Sequence, residues 1–385
     1  MGNPGWRQAV ACGAWLLASG CADSGVDVDP WSTVTDTAVL QVSVAPDGVV
    51  AAVVADPLGR AAASVVSFDA HGAVQWTRPI GWGASVVALG DDRVVVAETA
   101  RVVLHDRAGT TPFAIPATAC GLDVHSDARG FVYVLVAPYP GGSIGGVPVD
   151  GWRGYIVTID PQGALVGLEQ VQGAGCPRVL AVSPGGRLLV RTDTGVFVLS
   201  GGVYRSVPEA LRARLDSDAI VALGDDGSVA VATESYSPMG YADVRVTRLD
   251  RAGVEQWTHW VGGPGPDDLG GLALGPGGRV YVAATARPVA GTVVDPVVDL
   301  GELRAAIPAT GAQAFFAAWE PDGRLAWGAA PGSADDDAAT SLDLAPDGSL
   351  VVGGWFAGTM DLPDGTHMAA GAPGTHAGFV THVAP

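Results

Sequence analysis

Lysine is missing from this 385-residue chain: all 21 basic residues are arginine, against 40 Asp and Glu, for a net charge of −19. A surface that grips phosphate needs dense positive charge, so this balance argues against nucleic acid and against adsorption on anionic lipid. Cysteine is scarce too, with four in all. Neither His-x-x-x-His nor Cys-x-x-Cys spacing occurs, which removes the common zinc patterns, and no Asp-x-Asp-x-Asp-Gly loop offers a calcium site. The sequence therefore calls for no metal and no cofactor, and no catalytic set stands out. No apolar run after the first residues approaches the roughly 20 that a spanning helix needs. Helical pattern is confined to one short stretch, 208–217 (PEALRARLDS).

What is abundant is Val, Ala and turn residues, including 55 Gly and 27 Pro. Valine packs well on a pleated surface, and Gly and Pro punctuate short strands. The chain uses one unit seven times. Each unit opens with a short apolar strand, turns, and continues in a Val-rich strand. The turns are Pro46-Asp47-Gly48, Asp91-Asp92-Arg93, Ala128-Arg129-Gly130, Pro184-Gly185-Gly186, Asp225-Asp226-Gly227, Pro276-Gly277-Gly278 and Pro346-Asp347-Gly348. Asp-Gly and Gly-Gly between apolar runs are hairpin signals, because such turns need positive φ. A second hairpin follows downstream and carries Trp76, Trp257 or Trp327 in units one, five and six.

Four strands repeated about seven times predict an all-β, seven-bladed β-propeller of four-stranded blades, since radial closure protects the sheet edges. The seventh unit ends on its third strand, 378–385 (GFVTHVAP). Its fourth strand is expected from the front of the chain, where Trp31 within 30–36 stands in register with the other tryptophans. The predicted layout is a leader at 1–20, a tether at 21–29 and a propeller at 30–385.

The leader has one charge, Arg7, an apolar core at 9–18, and then Ser19-Gly20-Cys21. The run 17–21 (LASGC) resembles the lipobox of bacterial lipoproteins, with Ala18 where leucine is commonest. The resemblance implies lipidation at Cys21, export to the cell envelope and anchorage in a membrane. Ala22 after the cysteine implies the outer membrane, although Asp23 follows at once. An ordinary cleaved signal with an incidental cysteine is the alternative. In the last two units, 266–285 and 335–355 carry paired acids, an apolar strand, a turn and a Val-rich strand in order. They resemble the beta-propeller repeat family of exported bacterial proteins (SBBP-like repeats), which implies a fold and an extracytoplasmic setting with no activity attached.

Cys120 and Cys176 each lie ten residues before their turn glycines, at equivalent places in neighbouring blades. A disulfide between them is expected in an oxidising compartment, with two free thiols as the alternative. The tight turns share one face. The long loops 138–153, 286–312 and 357–377 share the other, with the acid groups Asp216/Asp218, Asp267/Asp268 and Asp335/Asp336/Asp337. That second face is the candidate binding face, unless its acids only cap the strand crossings. On the innermost strands, Asp123, His125 and Asp343 are candidate channel-lining groups, and Asp123 with His125 could move a proton or be inert. The functional expectation is a surface-anchored propeller that binds a protein or glycan without catalysis. The alternatives are an envelope assembly factor and a propeller lyase, hydrolase or dehydrogenase working at the channel mouth.

Overall fold

A strand sandwiched between two neighbouring sheets has no wet side, so it reads as a continuous apolar run. The second strand of each unit behaves this way. Val50–Ala55, Val132–Val136 and Val280–Ala286 are buried along their whole length. The computed structural model describes residues 31–55, 63–81, 85–98, 101–113, 115, 123–138, 141–150, 153–173, 177–215, 219–236, 242–289, 297–300, 304–306, 311–332, 335–362, 366–370 and 375–383.

Seven four-stranded antiparallel sheets form the ring. Blade 1 comprises Ala38–Val44, Val50–Ala55, Ala63–Phe68 and Val74–Ile80. Blades 2 to 7 begin with the inner strands Ser85–Gly90, Asp123–Ser126, Arg178–Val182, Ile220–Leu223, Asp268–Leu274 and Asp337–Leu344. Blade 7 takes its fourth strand, Trp31–Thr35, from the front of the chain. It pairs antiparallel with His376–Val383, setting Trp31 opposite His382 and Val34 opposite Phe379. The closing strand expected around Trp31 is therefore present and in register. Among the described residues of the helical stretch, Glu209–Arg212 is helical, one turn that buries Leu211 between blades 4 and 5.

The core is divided rather than central. Seven hydrophobic clusters lie among the described residues, one at each seam between adjacent blades. The closing seam is built like the others: Val351 and Val380 of blade 7 pack with Val39, Val42, Val54 and Phe68 of blade 1.

The first hairpin of most blades turns on a glycine with positive φ, for example Gly48 at 83° and Gly348 at 84°. Blade 2 has the tighter turn. Gly90 pairs directly with Arg93, so Asp91 and Asp92 take φ of 50° and 59° without glycine. Aspartate tolerates that region better than most residues. In the second hairpins of blades 1, 3 and 5, Asp69, Asp160 and Asp250 each accept two backbone N–H groups of the turn.

The tryptophans of the outer strands brace one blade against the next. The Nε1 of Trp76 donates to the Asp92 carbonyl at 2.9 Å, and that of Trp257 to the Pro321 carbonyl at 3.1 Å. Trp257 lies over Gly323 (φ 86°), whose absent Cβ would fall 2.9 Å from the indole Cγ. Trp31 repeats this contact at the closing seam, lying on Gly72 (φ 80°) of blade 1.

Two outcomes follow for stability. Gly72→Ala and Gly323→Ala combine a strained φ with a ring collision, so each is expected to cost about 1–3 kcal/mol, read from urea midpoints. Trp31→Ala is expected to cost about 2–4 kcal/mol. Loss of under 0.5 kcal/mol would show that the closing strand is ornamental.

Candidate functional site

The inner strands carry few large side chains, and the ring encloses a channel of about 440 Å3 lined by all seven blades. Small residues make the room, including Ser43, Ala181, Ala222 and Ala273. Against this apolar wall stand Gln41, Ser43, His125, Ser341 and Asp343.

Most of these polar groups are engaged by the scaffold. Ser341 Oγ accepts the Val42 N–H at 3.1 Å, and Asp343 Oδ2 accepts the Val44 N–H at 2.9 Å, stitching blade 7 to blade 1. One seam further on, Gln41 accepts the Val86 N–H at 3.1 Å and Ser43 Oγ the Ala88 N–H at 3.2 Å. Gln41 and Ser341 both lie seven residues before their turn glycines, and Ser43 and Asp343 five. The two seams therefore use one device: a polar side chain on an inner strand takes the backbone donors of the next inner strand. This answers where those donors go, since an inner strand has no sheet partner on the channel side.

Asp343 is the most chemically poised member. It lines the lumen, partly buried, and desolvation pushes its carboxyl up to about 6. Hydrogen bonds from the Val44 and Leu344 N–H groups and from Ser43, and the charge of His125, restrain the rise. His125 thus lies within electrostatic reach across the channel. Asp123 begins the same inner strand of blade 3.

The face that carries the long loops also carries three small hairpins that the sequence does not announce: Ser143–Ile144 with Val147–Pro148, Val297–Asp299 with Arg304–Ala306, and Thr359–Asp361 with His367–Ala369. They stand between second and third strands of blades 3, 6 and 7. Ile144, Met360 and Met368 are buried beneath them. Residues 141–145 spell Gly-x-Ser-x-Gly, but Ser143 opens a two-residue strand, not the strand-to-helix elbow of a nucleophile, so the match is formal.

The acids of this face divide by depth. Asp267 and Asp337 are 2% and 0% exposed. Both stand eleven residues before their turn glycines, and their N–H groups donate to the Ala242 and Ala312 carbonyls. The Asp267 carboxyl accepts the Gly263 and Arg287 N–H groups at 2.8 and 3.0 Å, closing the crossing from blade 5 to blade 6. Burial pushes it up to about 7 against those two hydrogen bonds, with the neighbouring Asp243 and Asp268 adding to the rise. Asp268, Asp335 and Asp336 face solvent; Asp268 pairs with Arg287, and Asp336 accepts the Ala312 N–H at 2.7 Å. Asp216, Asp218, Cys21, Cys120 and Cys176 lie outside the described residues.

Two histidines escaped sequence reasoning. His382 Nε2 lies 2.5 Å from Ser349 Oγ, which donates to Asp347 Oδ1 at 2.5 Å. The three residue types of a hydrolase triad are present in the wrong order. With serine between acid and imidazole, the hydroxyl proton goes to the carboxylate and the histidine is not the base. His105, 2% exposed, stacks on Trp76 and has both ring nitrogens buried without a hydrogen-bond partner; burial lowers its pKa.

No family model and no curated protein sequence matches the chain. The solved structures similar to it are of different kinds. A Bacteroides caccae protein of unknown function is 11% identical, covering 78% of this chain and 94% of its own, with TM-score 0.38. The gluconolactonase XC5397 of Xanthomonas campestris is 12% identical, covering 92% and 90%, at 0.37. The WD40 domain of SCAP from fission yeast is 12% identical, covering 91% and 97%, at 0.40. At these values the similarity carries no argument about function, and the class of the chain, a seven-bladed β-propeller, rests on its own sheet topology.

The titrations make opposite predictions. A carboxyl whose folded pKa is raised gives stability below its unfolded value and loses it as pH climbs through the folded one. The penalty of Asp267→Asn should therefore grow as pH falls from 8 to 5. A histidine whose folded pKa is lowered gives stability above its unfolded value and loses it as pH falls, so the penalty of His105→Leu should shrink over the same range. Thermal melts of both variants at several pH values check the two signs.

Proposed function

We propose that this protein is an exported, lipid-anchored propeller that acts as a rigid binding or scaffold module for a protein or a glycan, without catalysis of its own. The observation that carries this reading is the disposition of polar groups. On the channel wall, Gln41, Ser43, Ser341 and Asp343 are consumed in joining blades. The face bearing the three hairpins, by contrast, varies from blade to blade on a uniform frame, which is how loops on rigid scaffolds acquire recognition. Asp268, Asp335 and Asp336 lie exposed on that face, as do Asp150, Glu234 and Asp361. The lipobox-like leader supports anchorage through Cys21 in the cell envelope, on the outer membrane, and the acidic balance fits a partner other than nucleic acid. An envelope assembly factor is a special case of the same reading, in which the bound partner is another envelope protein.

A propeller enzyme is the second reading, and one observation favours it: a carboxyl near pH 6 facing a histidine across the channel.

Two measurements test the proposal. Labelled palmitate should enter the wild-type protein and not Cys21→Ala; equal labelling would remove the anchor. Photo-crosslinkers placed at Tyr236 and Val147 on the hairpin face should capture envelope partners in whole cells, whereas one at Arg251 on the turn face should not. Capture through Arg251 alone would reassign the working face.

A further inference from the structure

The two faces of the ring are not equivalent with respect to the chain's own front end. The third strand of blade 7 descends from the hairpin face and finishes at Val383 beside the turns. Trp31–Thr35 runs antiparallel to it, so Trp31, opposite His382, sits at the turn face, and Thr35, opposite Gly378, at the hairpin face. Trp31 also lies on Gly72, in the second-hairpin turn of blade 1. The polypeptide therefore enters the ring from the turn side, at the outer edge of blade 7.

Cys21 is ten residues upstream of that entry point. Ten residues span at most about 35 Å when fully extended. The relaxed end-to-end span for a chain of that length is about 17 Å. A blade is about 23 Å tall, from seven-residue strands rising roughly 3.3 Å per residue. To lay the hairpin face on the lipid, the tether would have to climb the whole outside of blade 7, stretched to about two-thirds of its full reach and well beyond its relaxed span. To lay the turn face toward it requires no stretching. Asp23, Asp27 and Asp29 within the tether disfavour close adsorption on an anionic leaflet and keep the ring standing off the surface.

We infer that the propeller is held with its turn face toward the lipid surface and its hairpin face, with Tyr236 and the Ser143–Pro148 and Thr359–Ala369 excursions, presented away from it. This rests on the anchoring reading above and adds an orientation to it. The interaction surface for a partner is then the hairpin face, reached from the aqueous side, while the turn face meets only the tether and the bilayer. The exposed turns of blades 3 and 5 (Gln162, Arg251) become the membrane-proximal landmarks, and Val147 and Tyr236 of the same blades the distal ones.

The experiment uses the full chain, expressed with its leader, lipidated in cells and reconstituted in vesicles containing a headgroup-labelled acceptor lipid. A clickable phenylalanine analogue carries the donor dye at Gln162, Arg251, Val147 or Tyr236, one at a time, leaving every cysteine in place. Energy transfer to the lipid should be at least twofold more efficient from Gln162 than from Val147, and from Arg251 than from Tyr236. Two blades are compared so that simple tilting, which would favour one blade over another, is not mistaken for orientation. Equal or reversed transfer within both pairs overturns the inference while leaving the anchor intact. If wild-type protein and Cys21→Ala both stay in the soluble fraction, the anchoring reading fails, and the orientation with it.

Discussion

Each blade of this ring has two apolar faces and one job for them, which is to disappear against its neighbours. Burial of apolar area is non-directional, so it explains why seven Val- and Ala-rich sheets associate but not why they stop at seven, at one radius and one tilt. At two of the seven seams, the alignment of neighbouring blades is fixed by the pairing of backbone donors on the inner strands. These strands face a narrow lumen with no sheet partner on that side. Side chains from the preceding blade, Ser341 and Asp343 at one seam and Gln41 and Ser43 at the next, supply acceptors at fixed positions. A blade that slipped by one residue against its neighbour would leave those backbone donors without their acceptors. The stitches therefore set register, while the seven clusters supply the bulk of the stability.

The outer circumference uses a different device for the same end. A tryptophan on the last strand of one blade lies on a turn glycine of the next, seen for Trp31 on Gly72 and Trp257 on Gly323. Glycine is required twice over, by its positive φ and by the indole above it. Together, polar stitches inside and aromatic wedges outside fix the angle between sheets from both ends of the wedge.

Much of this was legible in the chain. Turn glycines, the Val-rich second strands and the position of Trp31 follow from local chemistry that survives any context, and they give the blade count and the closing strand. The site was far less legible. Asp343 is readable as a channel residue by its spacing, but not as a stitch, because the partner N–H belongs to Val44, almost 300 residues away along the chain. Asp267 and Asp337 look like surface acids; only their common distance from the turn glycines hints that they occupy one buried corner. The small hairpin at Ser143–Pro148 hides in a Gly-rich run with no alternation to betray it. His105 and His382 carry no motif at all: His105 is covered by Trp76 of the neighbouring blade, and His382 is engaged by Ser349 and Trp31, brought beside it only when its own blade is assembled.

The seam between Ser32 and Thr381, whose hydroxyls lie 2.8 Å apart, joins the earliest and latest portions of the ring to be made. A chain emerges front end first, so Trp31–Thr35 must wait, without a partner, while the other six blades and most of the seventh are delivered. Joining ends so distant in sequence costs on the order of 5 kcal/mol in a fully unstructured chain, and progressively less as the intervening wedges form. Closure thus reports completeness: a truncated product lacks the mate for its first strand and leaves Phe68 and Val39 uncovered.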